Sequence, residues 1–105
     1  MKQHIDCNFR IDAEEGIIGN IRLKPNTDYK LIIDYPLSCK AEFIIKCDGK
    51  GLDLQGLVKK IINSYYEIYE NEKKYGIWGH DIVDLYLEGI TVDHSKKIII
   101  LDMGS

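Results

Sequence analysis

The segment that follows the longest predicted helix carries the densest group of reactive side chains. It contains His80 and Asp81 in direct succession, with Asp84 and Glu88 after them. A histidine beside a carboxylate could act as a general base oriented by the acid, which makes His80 and Asp81 a candidate catalytic pair. If residues 80–88 were helical, Asp81, Asp84 and Glu88 would share one face and could bind a divalent cation. The competing interpretation is a capped turn entering a strand, because strand neighbours point to opposite faces and aspartate often bonds turn amides.

Three aromatic or apolar side chains are the candidate binding residues. Tyr66 falls off the apolar stripe of the predicted helix, so we expect it to be exposed, although tyrosines also pack along the edge of a core. Trp78 follows the helix and could mark a ligand cleft or belong to the core. Ile99 belongs to an unbroken apolar run near the end of the chain, which could contact another subunit.

The familiar cofactor motifs are absent from the sequence. The glycine-containing loop at residues 48–51 lacks the spacing of a phosphate-binding loop, no serine lies in a GxSxG elbow, and no paired Cys/His spacing indicates zinc. We therefore expect no cofactor. Cys7, Cys39 and Cys47 show no CxxC spacing, so we expect free thiols and a reducing, cytoplasmic setting.

Composition and charge narrow the class of protein. The chain has 105 residues, with 45% hydrophobic and 30% charged side chains, which is typical of one globular domain. It lacks an apolar run long enough to span a bilayer, and its first residues lack the apolar centre of a signal peptide. The net charge of −3 arises after residue 76, where five acidic residues outnumber two lysines. An acidic balance argues against a general nucleic-acid binder, which needs a basic face.

A helix is predicted over residues 53–76. Asp53 is the expected N-cap and Gly76 the expected stop. The apolar residues recur with the i, i+3, i+4, i+7 spacing of one buried stripe. This stripe comprises Leu54, Leu57, Val58, Ile61, Ile62, Tyr65, Ile68 and Tyr69.

The rest of the chain alternates between apolar and polar residues in short runs separated by turns. Six strands are predicted, at residues 3–11, 17–24, 29–35, 39–47, 83–92 and 97–103. Residues 79–84 could instead form one helical turn. The predicted fold is α+β, an antiparallel and possibly curled six-stranded sheet in the order β-β-β-β-α-β-β, packed on one long amphipathic helix. The first four strands are expected to form a meander.

The C-terminal block of about thirty residues resembles small uncharacterised proteins of large DNA viruses. The residues that carry this resemblance are Gly79-His80-Asp81, Leu85-Tyr86-Leu87-Glu88-Gly89-Ile90 and Met103-Gly104-Ser105. Some of those viral proteins end with a similar acid-glycine-apolar strand and a Gly-Ser pair. The resemblance implies a viral origin, for which the setting would be a host cytoplasm, and it implies no activity or site residues.

The last strand leads to a hypothesis of assembly. Its isoleucines fall on both faces, which predicts a strand in the centre of the sheet or one that contacts another subunit. Because one helix covers only one face of a sheet, the second apolar face needs either a barrel-like sheet or a second copy. Ile18, Ile32 and Ile44 add apolar surface to that second face. We expect a binding or assembly module that forms a homo-oligomer, most simply a two-fold dimer; the alternative is a small hydrolase or metal-dependent enzyme built on the His80 segment.

Overall fold

The computed structural model describes residues 1–13, 19–77 and 79–105. Ile18 and Trp78 lie outside the described residues. The elements, in chain order, are β1 (Lys2–Arg10), β2 (Arg22–Leu23), β3 (Asp28–Ile33), β4 (Ala41–Lys46), β5 (Leu52–Asp53), α1 (Leu54–Glu70), α2 (Glu72–Tyr75), a short 3-10 helix (Ile82–Asp84), β6 (Tyr86–Asp93) and β7 (Ile98–Gly104).

Helix α1 confirms the amphipathic helix predicted from the apolar spacing. The Asp53 side chain accepts a hydrogen bond from the Gly56 N–H at 2.9 Å, so it satisfies one of the free amides of the first turn. After α1 ends, α2 adds one more turn, and Gly76 closes it with a φ of 66°. That left-handed conformation is cheap for glycine, which explains the end of the helix at this residue. All members of the predicted stripe are buried except Tyr69, which is half-buried; the buried ones are Leu54, Leu57, Val58, Ile61, Ile62, Tyr65 and Ile68.

The sheet confirms the α+β class and corrects the predicted topology. The described strands form a five-stranded sheet in the order β1-β6-β7-β3-β4, and β2 pairs with β5 in a separate two-stranded ribbon. The prediction of six antiparallel strands that begin with a meander is therefore wrong. Strand β1 pairs with β6 rather than with β2, and β3 runs parallel to β7. The strand order within the described residues ends at β1 on one side and at β4 on the other, so the sheet does not close into a barrel.

The position of β7 agrees with its apolar sequence. It is the third of the five strands, flanked by β6 and β3. A central strand is hydrogen-bonded to a neighbour on both sides, so an apolar run is better shielded from solvent there than in an edge strand. This is the central-strand alternative anticipated from the isoleucine run.

One face of the sheet packs against α1. Leu31 and Ile33 of β3, Ile99 of β7, and Ile90 and Val92 of β6 are buried in the same core cluster as the helix stripe. The alternate residues of these strands point to the opposite face, which no helix within the described residues covers. Among residues 1–13, 19–77 and 79–105, no helix is long and apolar enough to cross a membrane.

Candidate functional site

His80 lies between the end of α2 and the 3-10 helix, at one end of a chain of polar side chains. Its Nε2 is 3.1 Å from the hydroxyl oxygen of Tyr35, which is itself 2.7 Å from Oγ of Ser105. The rings of Tyr35 and His80 lie 5.6 Å apart between centroids, with a tilt of 34°. The three side chains come from the β3–β4 connection, the segment after α2 and the end of β7, so the tertiary fold alone brings them together.

Two tyrosines of α1 hold the backbone of this cluster. Tyr65 donates its hydroxyl proton to the Tyr35 carbonyl at 2.9 Å, and Tyr69 donates to the His80 carbonyl at 3.0 Å. Burial raises the pKa of Tyr65 above its usual range. Burial is also the largest cause that raises the pKa of Tyr69 to about 12, and the nearby Asp81 carboxylate is the next largest. Both phenols are therefore protonated donors at neutral pH.

The acidic residues of this segment serve the local backbone. The Asp81 N–H donates to Oδ2 of Asp84 at 3.4 Å, and the Asp84 N–H donates to the Asp81 carbonyl at 2.9 Å, which caps the 3-10 helix. This is the helical turn held open as an alternative at residues 79–84. Residues 80–88 as a whole are not helical, because β6 begins at Tyr86 and carries Glu88. The condition for a shared metal-binding face of Asp81, Asp84 and Glu88 is thus not met, and the described residues contain no group of three metal-ligating side chains.

The three candidate binding residues have different positions. Tyr66 is 44% exposed on the outer side of α1. Trp78 lies outside the described residues. Ile99 has no exposed surface and packs in the core beneath α1, so it is not on the outer face where the oligomer hypothesis needs it. Because successive residues of β7 point to opposite faces, it is the neighbouring Ile100, 51% exposed, that lies on the outer face.

The uncovered face of the sheet carries an isoleucine cluster, which we call the open-face patch: Ile32, Ile44, Ile98 and Ile100. Strand register places these residues side by side, because Ile32 pairs with Ile100 across β3 and β7, while Lys30 lies between Ile98 and Ile44. Ile44 is 57% exposed, and Ile32 and Ile98 are half-buried. The patch therefore presents branched apolar side chains to solvent from three adjacent strands.

Charged and polar residues lie within and beside the open-face patch. Lys30 and Glu42 form an ion pair across β3 and β4, with 3.6 Å between Nζ and Oε2. On the other side, His4 bridges β1 and β6, with Nδ1 2.7 Å from Thr91 Oγ1 and Nε2 2.9 Å from Asp6 Oδ1. Apolar side chains interspersed with paired charges are compatible with a protein–protein contact.

A third cluster, missed by the sequence analysis, surrounds His94. This histidine is only 6% exposed. Its Nδ1 is 2.8 Å from the Tyr29 hydroxyl and its Nε2 is 2.7 Å from Oε1 of Gln3. Burial, followed by the nearby positive charges of Lys24 and the Met1 amino group, lowers the pKa of His94. The signal was present in the sequence, since the alternation of buried Ile90 and Val92 places His94 on the same inward face.

The described residues thus carry a hydrogen-bonded His80 cluster, an open-face patch and a buried histidine. The first could move protons, the second could bind protein, and the third could link structure to pH. All three cysteines are free, and burial raises the pKa of the Cys7 and Cys47 thiols, which keeps them protonated at neutral pH. Comparison with family models, with curated proteins and with solved structures finds no match to this chain.

Proposed function

We propose that this protein acts through protein–protein contact, as a two-fold homodimer joined by the open-face patch. The observation that carries the proposal is the exposure of Ile44 and Ile100, at 57% and 51%, on a sheet face that no described helix covers. Two sheets can pack face to face at about 10 Å, with their side chains interdigitated. Such a contact would give each copy the second apolar layer that its single helix cannot provide.

The energetic contribution of the patch follows from its exposure. Burying a whole isoleucine side chain contributes about 1.5–3 kcal/mol, so covering the exposed half of Ile44 or Ile100 contributes about 1 kcal/mol. A two-fold contact buries four such side chains, for a total of about 3–6 kcal/mol. Further contact from the half-buried Ile32 and Ile98 adds to this.

The charges around the patch favour a second copy as the partner. Lys30 forms an ion pair with Glu42, and Lys2 lies opposite Asp93 in the strand register, so charges of both signs lie side by side on this face. In a two-fold contact, the patch meets itself, and Lys30 of one copy can face Glu42 of the other. A partner of strongly acidic or basic character would leave half of these charges unmatched.

The setting of this contact is also part of the proposal. Three free cysteines are compatible with a reducing compartment, which supports action in the cytoplasm. The resemblance to small proteins of large DNA viruses would make that the cytoplasm of a host cell.

Sedimentation equilibrium of the wild type and of Ile100→Lys tests the dimer. Lysine at position 100 removes about 1 kcal/mol of apolar burial from each copy and places two charges in the contact, so the dissociation constant should rise by roughly 30-fold or more. Val83→Lys is the matched control, because Val83 is 49% exposed but lies on the 3-10 helix away from the patch. A wild type that stays monomeric at high concentration, or an equal effect of the two variants, would refute the dimer.

A second candidate function rests on the chain from Ser105 through Tyr35 to His80. A proton leaving the serine hydroxyl could pass to the tyrosine oxygen while the tyrosine proton moves to Nε2 of His80, as in general-base activation of a nucleophile. Asp81, the predicted orienting acid, caps the 3-10 helix instead. Hydrolysis of a simple activated ester, lost equally in His80→Ala and Tyr35→Phe but retained in His4→Ala, would favour this enzyme over the binding module.

A further inference from the structure

A continuous line of hydrogen bonds, buried at its centre, crosses one end of the sheet. The Lys24 backbone N–H donates to the Tyr29 hydroxyl oxygen at 3.2 Å, the next contact joins Tyr29 to Nδ1 of His94 at 2.8 Å, and the last joins Nε2 of His94 to Gln3 at 2.7 Å. Tyr29 is fully buried and His94 almost so. These contacts connect four parts of the chain: the start of β1, the β2–β3 connection, the start of β3 and the β6–β7 turn.

The donors and acceptors along this line are consistent only with a neutral His94. Oε1 of Gln3 is an acceptor, so Nε2 of His94 carries the proton and donates it. Nδ1 is then the acceptor, and the Tyr29 hydroxyl donates to it. The Tyr29 oxygen accepts in turn from Lys24, which satisfies every polar group in the line.

A second proton on His94 would break this arrangement. Nδ1 would become a donor directed at the Tyr29 oxygen, and the Tyr29 proton would lose its acceptor inside the core. The charged groups around the imidazole are Lys24 and the Met1 amino group, which oppose a positive charge, and Asp93, which favours it. A buried cation with an orphaned hydroxyl beside it is costly, so protonation favours a conformation in which this end of the sheet opens.

We propose that His94 is an acid-sensitive latch, whose protonation releases the start of β1 and the β2–β3 connection from the β6–β7 turn. The segments that would part are also joined by the backbone, because the His94 N–H donates to the Met1 carbonyl at 2.9 Å. The Ser95 hydroxyl, in the same turn, accepts from the Met1 amino group at 2.9 Å. The remainder of the core, around α1, does not depend on this line and should stay folded.

Two NMR measurements on the wild type test the latch directly. The imidazole resonances of His94 should titrate below the value of about 6.5 that is usual for histidine. Between about pH 7.5 and pH 5, the protection of the His94 and Lys24 amides from hydrogen exchange should fall by about tenfold or more after correction for intrinsic rates. Ile90, inside β6, should keep its protection.

A charge variant separates a latch from a merely structural histidine. In Gln3→Glu, a carboxylate faces Nε2 and stabilises the doubly protonated ring inside the closed latch, so acid should release the amides less and the pH midpoint of release should move downward. His94→Gln should remove the pH dependence of the Lys24 amide over the same range. Equal protection at both pH values in the wild type, or a midpoint that Gln3→Glu leaves unchanged, would overturn the proposal.

Discussion

Removal of one oxygen atom from the core, in Tyr29→Phe, measures how much the buried hydrogen-bond line stabilises the protein. The Tyr29 ring is fully buried, so phenylalanine keeps the packing and deletes only the hydroxyl. The loss leaves two polar groups without their partner: the Lys24 N–H and Nδ1 of His94. An unsatisfied buried polar group costs about 1–3 kcal/mol, and some relaxation is available at the sheet end, so we expect a loss of about 2–4 kcal/mol.

Urea unfolding near pH 7.5, where His94 is neutral, is the appropriate assay. Protein concentration must be held constant, because a dimer would make the midpoint depend on it. The matched control is Tyr66→Phe, which removes the same atom from a side chain that is 44% exposed. Its free energy of unfolding should change by less than about 0.5 kcal/mol.

A small effect of Tyr29→Phe on the free energy of unfolding would refute the role of the hydrogen-bond line in stability. A loss below about 0.5 kcal/mol, equal to that of the surface control, would mean that water or another group already satisfies Lys24 and His94. The hydrogen-bond line would then not be a structural element in solution. An unchanged m-value would confirm that the variant and the wild type expose the same surface on unfolding.

Three further predictions concern the core, one turn and alkaline pH. Ile61→Ala should lower the free energy of unfolding in urea by about 2–5 kcal/mol, because Ile61 is fully buried. The control Lys59→Ala, on the exposed side of α1, should change it little. Equal effects of the two variants would mean that the buried stripe of α1 is misassigned. Lys97→Gly should raise the thermal midpoint, with a gain of up to about 1 kcal/mol, because Lys97 holds a left-handed φ of 57°, and a lower midpoint would contradict this. Because the pKa values of Tyr65 and Tyr69 are raised in the folded state, their contribution to the free energy of unfolding should be fully present below about pH 10 and should be lost as the pH rises toward about 12. Urea unfolding at a series of pH values measures this loss. A free energy of unfolding that stays constant over that range would contradict the prediction.

The long helix was predictable because its determinants are local. The apolar residues from Leu54 to Ile68 recur with helical period, and Asp53 and Gly76 provide the cap and the stop within a few residues of its ends. Hydrogen bonds in a helix join residues four apart, so a window of sequence contains the whole element. The inward face of β3 was readable for the same reason, since strand alternation is a property of neighbouring residues.

The order of the strands was not predictable from the same windows. Lys2 pairs with Asp93 and Lys30 with Ile98, so the pairings that define the sheet join residues far apart in the chain. An alternating strand has two usable edges, and nothing in its own residues says which other strand will occupy them. The meander prediction assumed that neighbours in sequence are neighbours in space, and β1 breaks that assumption.

By itself, the sequence determined the α+β class, the amphipathic helix and an apolar last strand, for which a central position and a subunit contact both stayed open. The tertiary structure alone decided which face of that strand is covered: α1 takes the side of Ile99 and leaves Ile100 in the open, although the two isoleucines are chemically identical. It also decided that Tyr35, His80 and Ser105 meet, and that His94 is enclosed by Tyr29 and Gln3. The physical reason is that local bonding sets the period of an element, whereas burial and side-chain partners depend on long-range packing.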